Sequence, residues 1–383
     1  MHKKQHISIF PQASLKLKGL LWEWGLKKPF LVTGKNSYYS SGADRSLRDT
    51  WNKLRVTHFN DFHVNPDSQD VEKGIDIFLK SDCDCIVSVG GGSVIDMAKL
   101  INYYSTSTPL QIDINSLNNP QPQLVKHIAI PTTAGSGAES THFAVLYIGK
   151  DKFSVAHPNL LPDAVLIDPL LHYAQSTYQK AVSGIDALAQ AIESLWSVNR
   201  TEESTLYAQN ALRLLWNSLP KAVQKGDPNA HLETAEGANW AGRAINITKT
   251  TAPHALSYGF TTLANLPHGH AVALSLPYFL ELHTNPKEDA IVVHPGGTPA
   301  VKESMKKIFE TIPSLKKIEN LFAFYSQLGI ITDPHELNLT PAIFENVIAQ
   351  VNIERLSNNP VQFNPKKLLK YYLNDLALPP ISA

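Results

Sequence analysis

Residues 85–101 read CIVSVGGGSVIDMAKLI, and this stretch indicates the fold. Its first five residues form an apolar run with the length of a buried β-strand. Glycines follow at positions 90–92, and apolar residues then recur at helical spacing as far as Ile101. A strand that passes through glycines into a helix predicts a phosphate-binding turn, because a helix N-terminus attracts anions and glycine permits close approach.

The first half of the chain alternates short apolar runs, at residues 30–33, 127–130 and 164–167, with helical patterns. This alternation predicts a doubly wound, mostly parallel sheet. From about residue 171 the pattern becomes helical throughout. The predicted helices are 181–196, 203–215, 234–244, 272–282, 302–311, 315–328, 341–351 and 365–373. We therefore expect an α/β N-terminal nucleotide-binding domain at 1–170 and an all-α C-terminal domain, binding metal and substrate, at 171–383.

A second loop, PTTAGSGAE at residues 131–139, also follows a predicted strand. Ligands of such sheets bind beyond the carboxyl ends of the strands, so both loops are candidates for a dinucleotide site. Each has a plainer interpretation as a turn without a ligand, and neither is the G-x-G-x-x-G motif of the common Rossmann fold. The candidate cofactor residues in the two loops are Gly90, Gly91, Gly92, Ser93, Asp96, Thr132, Thr133 and Ser136.

Composition restricts the class of protein. Lys plus Arg and Asp plus Glu number 34 each, which argues against a nucleic-acid binder. The N-terminal MHKKQHISIF lacks the apolar core of a signal peptide, and no apolar run reaches membrane-spanning length. The two cysteines, Cys83 and Cys85, fit the entry of a strand better than a metal or redox site. We expect a cytoplasmic enzyme without membrane or nucleic-acid partners.

The predicted helix at 181–196 carries Asp186, Gln190 and Glu193 at i, i+4 and i+7 on an otherwise apolar segment. By itself this pattern also fits a solvated helix face. Two histidines occur in apolar surroundings further along, His254 in APHALSY and His268 in PHGHAVAL. Asp186, Gln190, His254 and His268 together would offer an O,O,N,N ligand set for a divalent first-row metal.

These motifs, in this order, resemble the iron-containing alcohol dehydrogenase family along nearly the whole chain. The stretches that carry the resemblance are GGGSVIDMAK, PTTAGSGAEST, KFSVAHPNLLPDAVLIDP, GIDALAQAIES and APHALSY with PHGHAVAL. The resemblance implies the dehydroquinate synthase-like architecture, with a site for iron or zinc between the domains. In the family an Asp and three His bind the metal; the Asp maps to Asp186, and two His map to His254 and His268. The remaining His falls on Gln190, a weaker ligand, and this departure puts metal affinity in doubt.

The resemblance also implies NAD or NADP as cofactor and Fe²⁺ or Zn²⁺ as metal, with Lys152 as a further nucleotide contact. Gly34 stands where many members carry an Asp that binds the adenosine ribose, so NADPH should be accepted. Tyr258 stands where many members carry a proton-relaying His. Helical domains of the family often pair, which suggests a homodimer.

More narrowly, DALAQ and AINITKTTAPHALSY resemble the phosphonoacetaldehyde reductases, which form 2-hydroxyethylphosphonate. A small anionic aldehyde needs a cationic partner, for which Lys249 is the first candidate and Arg200 and Arg243 are weaker ones. One alternative is a relative acting on another small aldehyde, alcohol or polyol. A second, of a different class, is a non-catalytic nucleotide-binding protein with a degraded metal site.

Overall fold

The computed structural model describes residues 4–105, 112, 124–149, 151–286, 290–351 and 356–376. The chain divides into two compact units, Met1–Gln175 and Ser176–Ala383. The fold prediction is confirmed: the first unit contains a parallel sheet flanked by helices, and the described part of the second is helical. None of the helices among the described residues is long and apolar enough to cross a membrane.

The first unit is built on a six-stranded sheet in which every pair of neighbouring strands is parallel. Its strands are β1 (His6–Ile9), β2 (Pro29–Thr33), β3 (Thr57–Phe59), β4 (Cys85–Gly90), β5 (Lys126–Pro131) and β8 (Ala164–Ile167), and β6 (Phe143–Ile148) and β7 (Asp151–Ala156) form a separate antiparallel hairpin. The strand order is β1-β8-β5-β4-β2-β3. The chain reverses direction across the sheet between β2 and β4, and such switch points are where doubly wound sheets bind ligands.

Both faces of this sheet are buried, because alternate side chains of a strand point to opposite faces. The flanking helices are α1 (Lys16–Glu23), α2 (Ser37–Ser40), α3 (Ala43–Trp51), α4 (Ser68–Lys80) and α5 (Gly92–Tyr104). Phe30 and Ile86 belong to the core that includes α4 and α5, whereas Leu31 and Val87 belong to the core that includes α1 and α3. The near-continuous apolar strands of the sequence follow from this double burial.

The second unit contains nine α-helices among its described residues. They are α6 (Thr177–Trp196), α7 (Glu202–Gln224), α8 (Pro228–Thr248), α9 (Ala252–Ala264), α10 (His268–Thr284), α11 (Gly297–Thr311), α12 (Ile318–Gln327), α13 (Pro341–Ala349) and α14 (Pro365–Asn374). Helices α6, α7 and α8 each begin after a residue whose side chain caps the helix N-terminus. These residues are Ser176, Thr201 and Asp227. The prediction that the second helix ends at Leu215 is wrong: α7 continues through Pro220, because Leu219, Ala222 and Val223 pack in the core.

Candidate functional site

The glycine turn predicted from residues 85–101 lies where β4 meets α5. Gly91 is the N-cap of α5 and Gly92 is its first residue, so backbone amides of the first helical turn lie at the carboxyl edge of the sheet. A Cβ on Gly92 would lie 2.6 Å from Ser136 Oγ, and one on Gly91 would lie 3.3 Å from the Thr133 methyl group. The two predicted loops therefore pack against each other, and glycine is what permits that approach.

Other predicted cofactor residues surround this contact. Thr132 is buried, and its amide donates to the Gly90 carbonyl across 3.0 Å. Ser93 Oγ accepts from the Asn65 amide at 3.3 Å. Gly34 directly follows β2, which places it on the other side of the switch point. These residues all gather at the carboxyl ends of β2, β4 and β5.

Asp96 and Lys152 lie further from the turn. Asp96 is buried on α5; its Oδ2 accepts from the Val145 amide at 3.0 Å, and its Oδ1 lies 3.8 Å from Lys99 Nζ. Burial raises the pKa of Asp96. Lys152 is on β7, where its ammonium lies 5.8 Å from the centre of the Tyr147 ring. The hydrogen bond from the Val145 amide to Asp96 connects α5 to the β6–β7 hairpin.

Three of the four predicted metal ligands converge inside the second unit. Asp186 on α6, His254 on α9 and His268 at the start of α10 have ligand atoms that all lie within 4.8 Å of one another. Asp186 Oδ1 is 3.1 Å from His254 Nε2 and 3.8 Å from His268 Nε2. Asp186 and His254 are buried, whereas the side chain of His268 is 36% exposed. The cluster is therefore buried at Asp186 and His254 and accessible at His268.

The fourth predicted ligand, Gln190, lies one helical turn beyond Asp186 and is 3% exposed. A hydrogen bond from Gln190 reaches Asp186. The amide is therefore part of the same buried group, although in this arrangement it serves the carboxylate of Asp186.

The charges in this group stabilise one another. Burial raises the pKa of Asp186, but the nearby charges of His268 and His254 outweigh it, and the net shift is downward. Burial lowers the pKa of His254, yet Glu193 and Asp186 together raise it to about 10. A cluster with these charges offers a carboxylate in its anionic, ligating form.

Glu193, which the sequence analysis left as part of a polar strip, contacts this cluster. Its side chain is fully buried, and Oε2 forms an ion pair with His254 Nδ1. The i, i+4, i+7 spacing from Asp186 placed it on the correct helix face, but only the position of α9 reveals its partner.

The two histidines of PHGH lie in different surroundings, and Tyr258 contacts one of them. The Tyr258 ring stacks on His268, with centroids 5.6 Å apart and planes inclined by 14°. His270 is buried elsewhere: Nδ1 lies 2.7 Å from the Tyr178 hydroxyl and Nε2 lies 2.6 Å from the Ile331 carbonyl. Of the two histidines, His268 is thus the one in the metal-type cluster.

The three candidate cations differ in their surroundings. Lys249 is exposed at the end of α8, with φ 57° and ψ −177°, a conformation almost confined to glycine. Arg243 lies 4.2 Å from the ring centres of both Tyr207 and Trp240. Arg200 Nη1 donates to Thr205 Oγ1 at 3.2 Å. The contacts of both arginines have a structural explanation.

Comparison with known proteins identifies the family. Residues 5–169 match the model for iron-containing alcohol dehydrogenase, and residues 180–376 match that for the C-terminal part of the Fe-containing alcohol dehydrogenase family. The chain belongs to the iron-containing alcohol dehydrogenase family. At this level the predicted enzyme class, an NAD(P)-dependent alcohol dehydrogenase with a nicotinamide cofactor and a divalent metal, is confirmed.

Individual relatives cover parts of the chain. Long-chain-alcohol dehydrogenase 1 of Geobacillus thermodenitrificans is 33% identical over 58% of this chain and 57% of its own length. Phosphonoacetaldehyde reductase of Streptomyces viridochromogenes is 32% identical over 57% of this chain and 62% of its own length. The chain thus spans less than two thirds of both. The crystal structure of sulfoacetaldehyde reductase from Bifidobacterium kashiwanohense in complex with NAD⁺ matches with a TM-score of 0.85 and 27% identity, covering 98% of both chains.

Proposed function

We propose that this protein reduces a small anionic aldehyde, phosphonoacetaldehyde, to the alcohol 2-hydroxyethylphosphonate with NADPH or NADH. The observation that carries the proposal is the convergence of Asp186, His254 and His268 from three helices on one point. A carboxylate and two imidazoles suit a divalent first-row ion, and the amide of Gln190 completes the set we assign to Fe²⁺ or Zn²⁺. A metal ion there supplies Lewis-acid polarisation of a carbonyl oxygen.

The two packed loops of the first unit are the proposed binding site for the cofactor's phosphates. The amides of Gly91 and Gly92 and the hydroxyls of Thr133 and Ser136 are suited to phosphate oxygens. Gly34 is the proposed neighbour of the adenosine ribose. Because glycine there brings no carboxylate against a 2′-phosphate, we expect NADPH to be accepted.

Tyr258 is the proposed proton carrier. Its ring is half-buried and stacked on His268, which fixes the ring beside the ligand cluster. A phenol in that position can pass a proton from solvent to the oxygen of the alcohol product.

Lys249 is the proposed partner of the substrate's anionic group. Its neighbours in the chain are held on both sides: Ser197 Oγ and Asn358 Nδ2 donate to the Thr248 carbonyl at 3.2 and 3.1 Å, and Thr251 Oγ1 donates to Glu193 at 2.9 Å. The surroundings therefore maintain a strained backbone under an exposed lysine, and such strain is concentrated at functional sites. The relatives named for phosphonoacetaldehyde and sulfoacetaldehyde reduction support the same class of substrate.

The proposal is tested by NAD(P)H oxidation with three aldehydes: phosphonoacetaldehyde, sulfoacetaldehyde and the neutral propionaldehyde. We expect the highest kcat/KM with phosphonoacetaldehyde, loss of activity on chelation and recovery on adding Fe²⁺ or Zn²⁺. Equal kcat/KM for anionic and neutral aldehydes would contradict the proposal of an anionic substrate. Full activity after complete metal removal would contradict the metal's role. Cofactor binding without reduction of any aldehyde would favour the non-catalytic alternative.

A further inference from the structure

The carboxylate of Glu193 is fixed by the beginning of helix α9. Its Oε1 accepts from Thr251 Oγ1 at 2.9 Å and from the amides of Thr251 and His254, each at 3.3 Å. The amides at the start of a helix need acceptors from outside the helix, and a negative charge there is favourable. Glu193 provides both from a neighbouring helix, so its own position is determined by the backbone of α9.

The other oxygen of the same carboxylate faces the His254 ring. Oε2 pairs with His254 Nδ1, while Nε2 of that ring lies 3.1 Å from Asp186 Oδ1. The imidazole is therefore held between two buried carboxylates. An imidazole whose Nδ1 proton is donated to a carboxylate presents Nε2 as its ligating atom.

The second histidine of the cluster is held differently. His268 Nδ1 lies 3.2 Å from the neutral hydroxyl of Ser257, and its ring packs on Tyr258. The charged support from Glu193 thus reaches Nδ1 of His254, whereas Nδ1 of His268 faces a neutral hydroxyl. Glu193 belongs to the same helix as the neutral amide of Gln190 and follows it by three residues.

We propose that Glu193 is a positioning residue of the metal site, which orients His254, increases its donor strength and partly offsets the weak ligand at position 190. This inference rests on the proposed metal site and assigns Glu193 no contact with metal or substrate. Partners of this kind fix the orientation and basicity of a ligating histidine, and their loss typically weakens metal binding about 10- to 100-fold.

The test measures metal binding by the full-length protein. The Kd for Zn²⁺ is determined by competition with a chromophoric chelator, and the Co²⁺ absorption spectrum reports the geometry of the site. We expect Glu193→Gln to weaken Zn²⁺ binding by about 10- to 100-fold and to alter the Co²⁺ spectrum. The control variant Ser218→Ala removes a buried hydrogen bond to Thr234 between α7 and α8, helices that carry no residue of the cluster. It should lower the Tm and leave the Zn²⁺ Kd unchanged.

A wild-type Zn²⁺ Kd in Glu193→Gln would overturn the inference, as would equal weakening in both variants, because either result would make Glu193 a purely structural residue. If Glu193→Gln does not fold, Glu193→Asp decides. Glu193→Asp keeps the charge but shortens the side chain by one methylene, which moves the carboxylate away from His254. An unchanged Zn²⁺ Kd and Co²⁺ spectrum in that variant would equally refute the proposal. Failure of the wild-type protein to bind Zn²⁺ or Co²⁺ would instead overturn the metal site itself, and this inference with it.

Discussion

Gly269 packs so closely on helix α6 that an added Cβ would overlap the carbonyl oxygen of Val182 and lie 3.1 Å from Asp186 Cβ. Because Gly269 directly follows His268, this contact determines how near His268 comes to Asp186. The glycine of the PHGH motif therefore serves the geometry of the cluster.

We expect Gly269→Ala to push the start of α10 away from α6. The variant should lose about 1–3 kcal/mol of unfolding free energy, as overpacked sites do, and should bind Zn²⁺ more weakly. Chemical denaturation and chelator competition measure the two effects. Gly19→Ala in α1 is the control, because a Cβ there meets open space. That change should stabilise by about 0.5–1 kcal/mol. Wild-type Zn²⁺ affinity in Gly269→Ala would show that the contact does not position His268.

The two histidines of PHGH should respond differently to removal. His268→Ala should greatly weaken Zn²⁺ binding with little change in Tm, since its ring is partly exposed. His270→Ala should keep the Zn²⁺ affinity but lose about 1–3 kcal/mol of unfolding free energy, because it removes a buried ring that is hydrogen-bonded to the Ile331 carbonyl and the Tyr178 hydroxyl. Metal content and thermal unfolding of both variants provide the comparison. The assignment of His268 fails if His270→Ala is the variant that loses the metal.

Replacing Gln190 by histidine should strengthen the metal site. The position is buried one turn from Asp186, so an imidazole there would replace a weak amide ligand by a strong one. We expect Gln190→His to bind Zn²⁺ more tightly than the wild-type protein. Gln179→His, on the exposed first turn of the same helix, is the control and should have no effect. Unchanged or weaker binding in Gln190→His would indicate that residue 190 does not face the metal.

Replacing Lys249 should stabilise the protein and reduce its selectivity for an anionic substrate. Lys249→Gly should raise the Tm, because glycine tolerates φ 57° without strain. It should also lower kcat/KM for phosphonoacetaldehyde by roughly 10- to 100-fold, given about 1.5–3 kcal/mol for a hydrogen bond to a charged group. Propionaldehyde should be reduced as before. Lys249→Met separates the effects, since it removes the charge and keeps the strain. Undiminished selectivity in both variants would remove Lys249 from substrate binding.

Asp61 should influence the choice between NADPH and NADH. Its Oδ1 lies 2.9 Å from the ammonium of Lys35, which follows Gly34, and it also pairs with Lys73. Hydrogen bonds and charges from Lys73 and Lys35 lower the pKa of Asp61 to about 2, so it stays anionic near neutral pH. A 2′-phosphate at this position would compete with Asp61 for Lys35.

We therefore expect Asp61→Asn to raise the NADPH-to-NADH ratio of kcat/KM, and Lys35→Ala to lower it. Asp76→Asn, which breaks the exposed pair of Asp76 with Lys80 on α4, should leave the ratio unchanged. An equal rise of the ratio in Asp61→Asn and Asp76→Asn would indicate a general charge effect and exclude a specific role for Asp61.

The parts that sequence alone predicts are those with strong local patterns. The buried strand at 85–89, its glycine turn and the polar positions of α6 follow from composition and spacing. The start of α9 does not, because part of its cap comes from Glu193, 58 residues earlier in the chain. The three-residue strand β3 was likewise missed, since it is too short to show a clear period.

The strained backbone of Lys249 has a practical consequence for engineering this protein. A screen that selects only for resistance to heat should replace Lys249 by glycine, because glycine adopts φ 57° without a Cβ penalty. Such a screen would discard the proposed partner of the substrate's anionic group, so activity on an anionic aldehyde has to be selected together with thermostability.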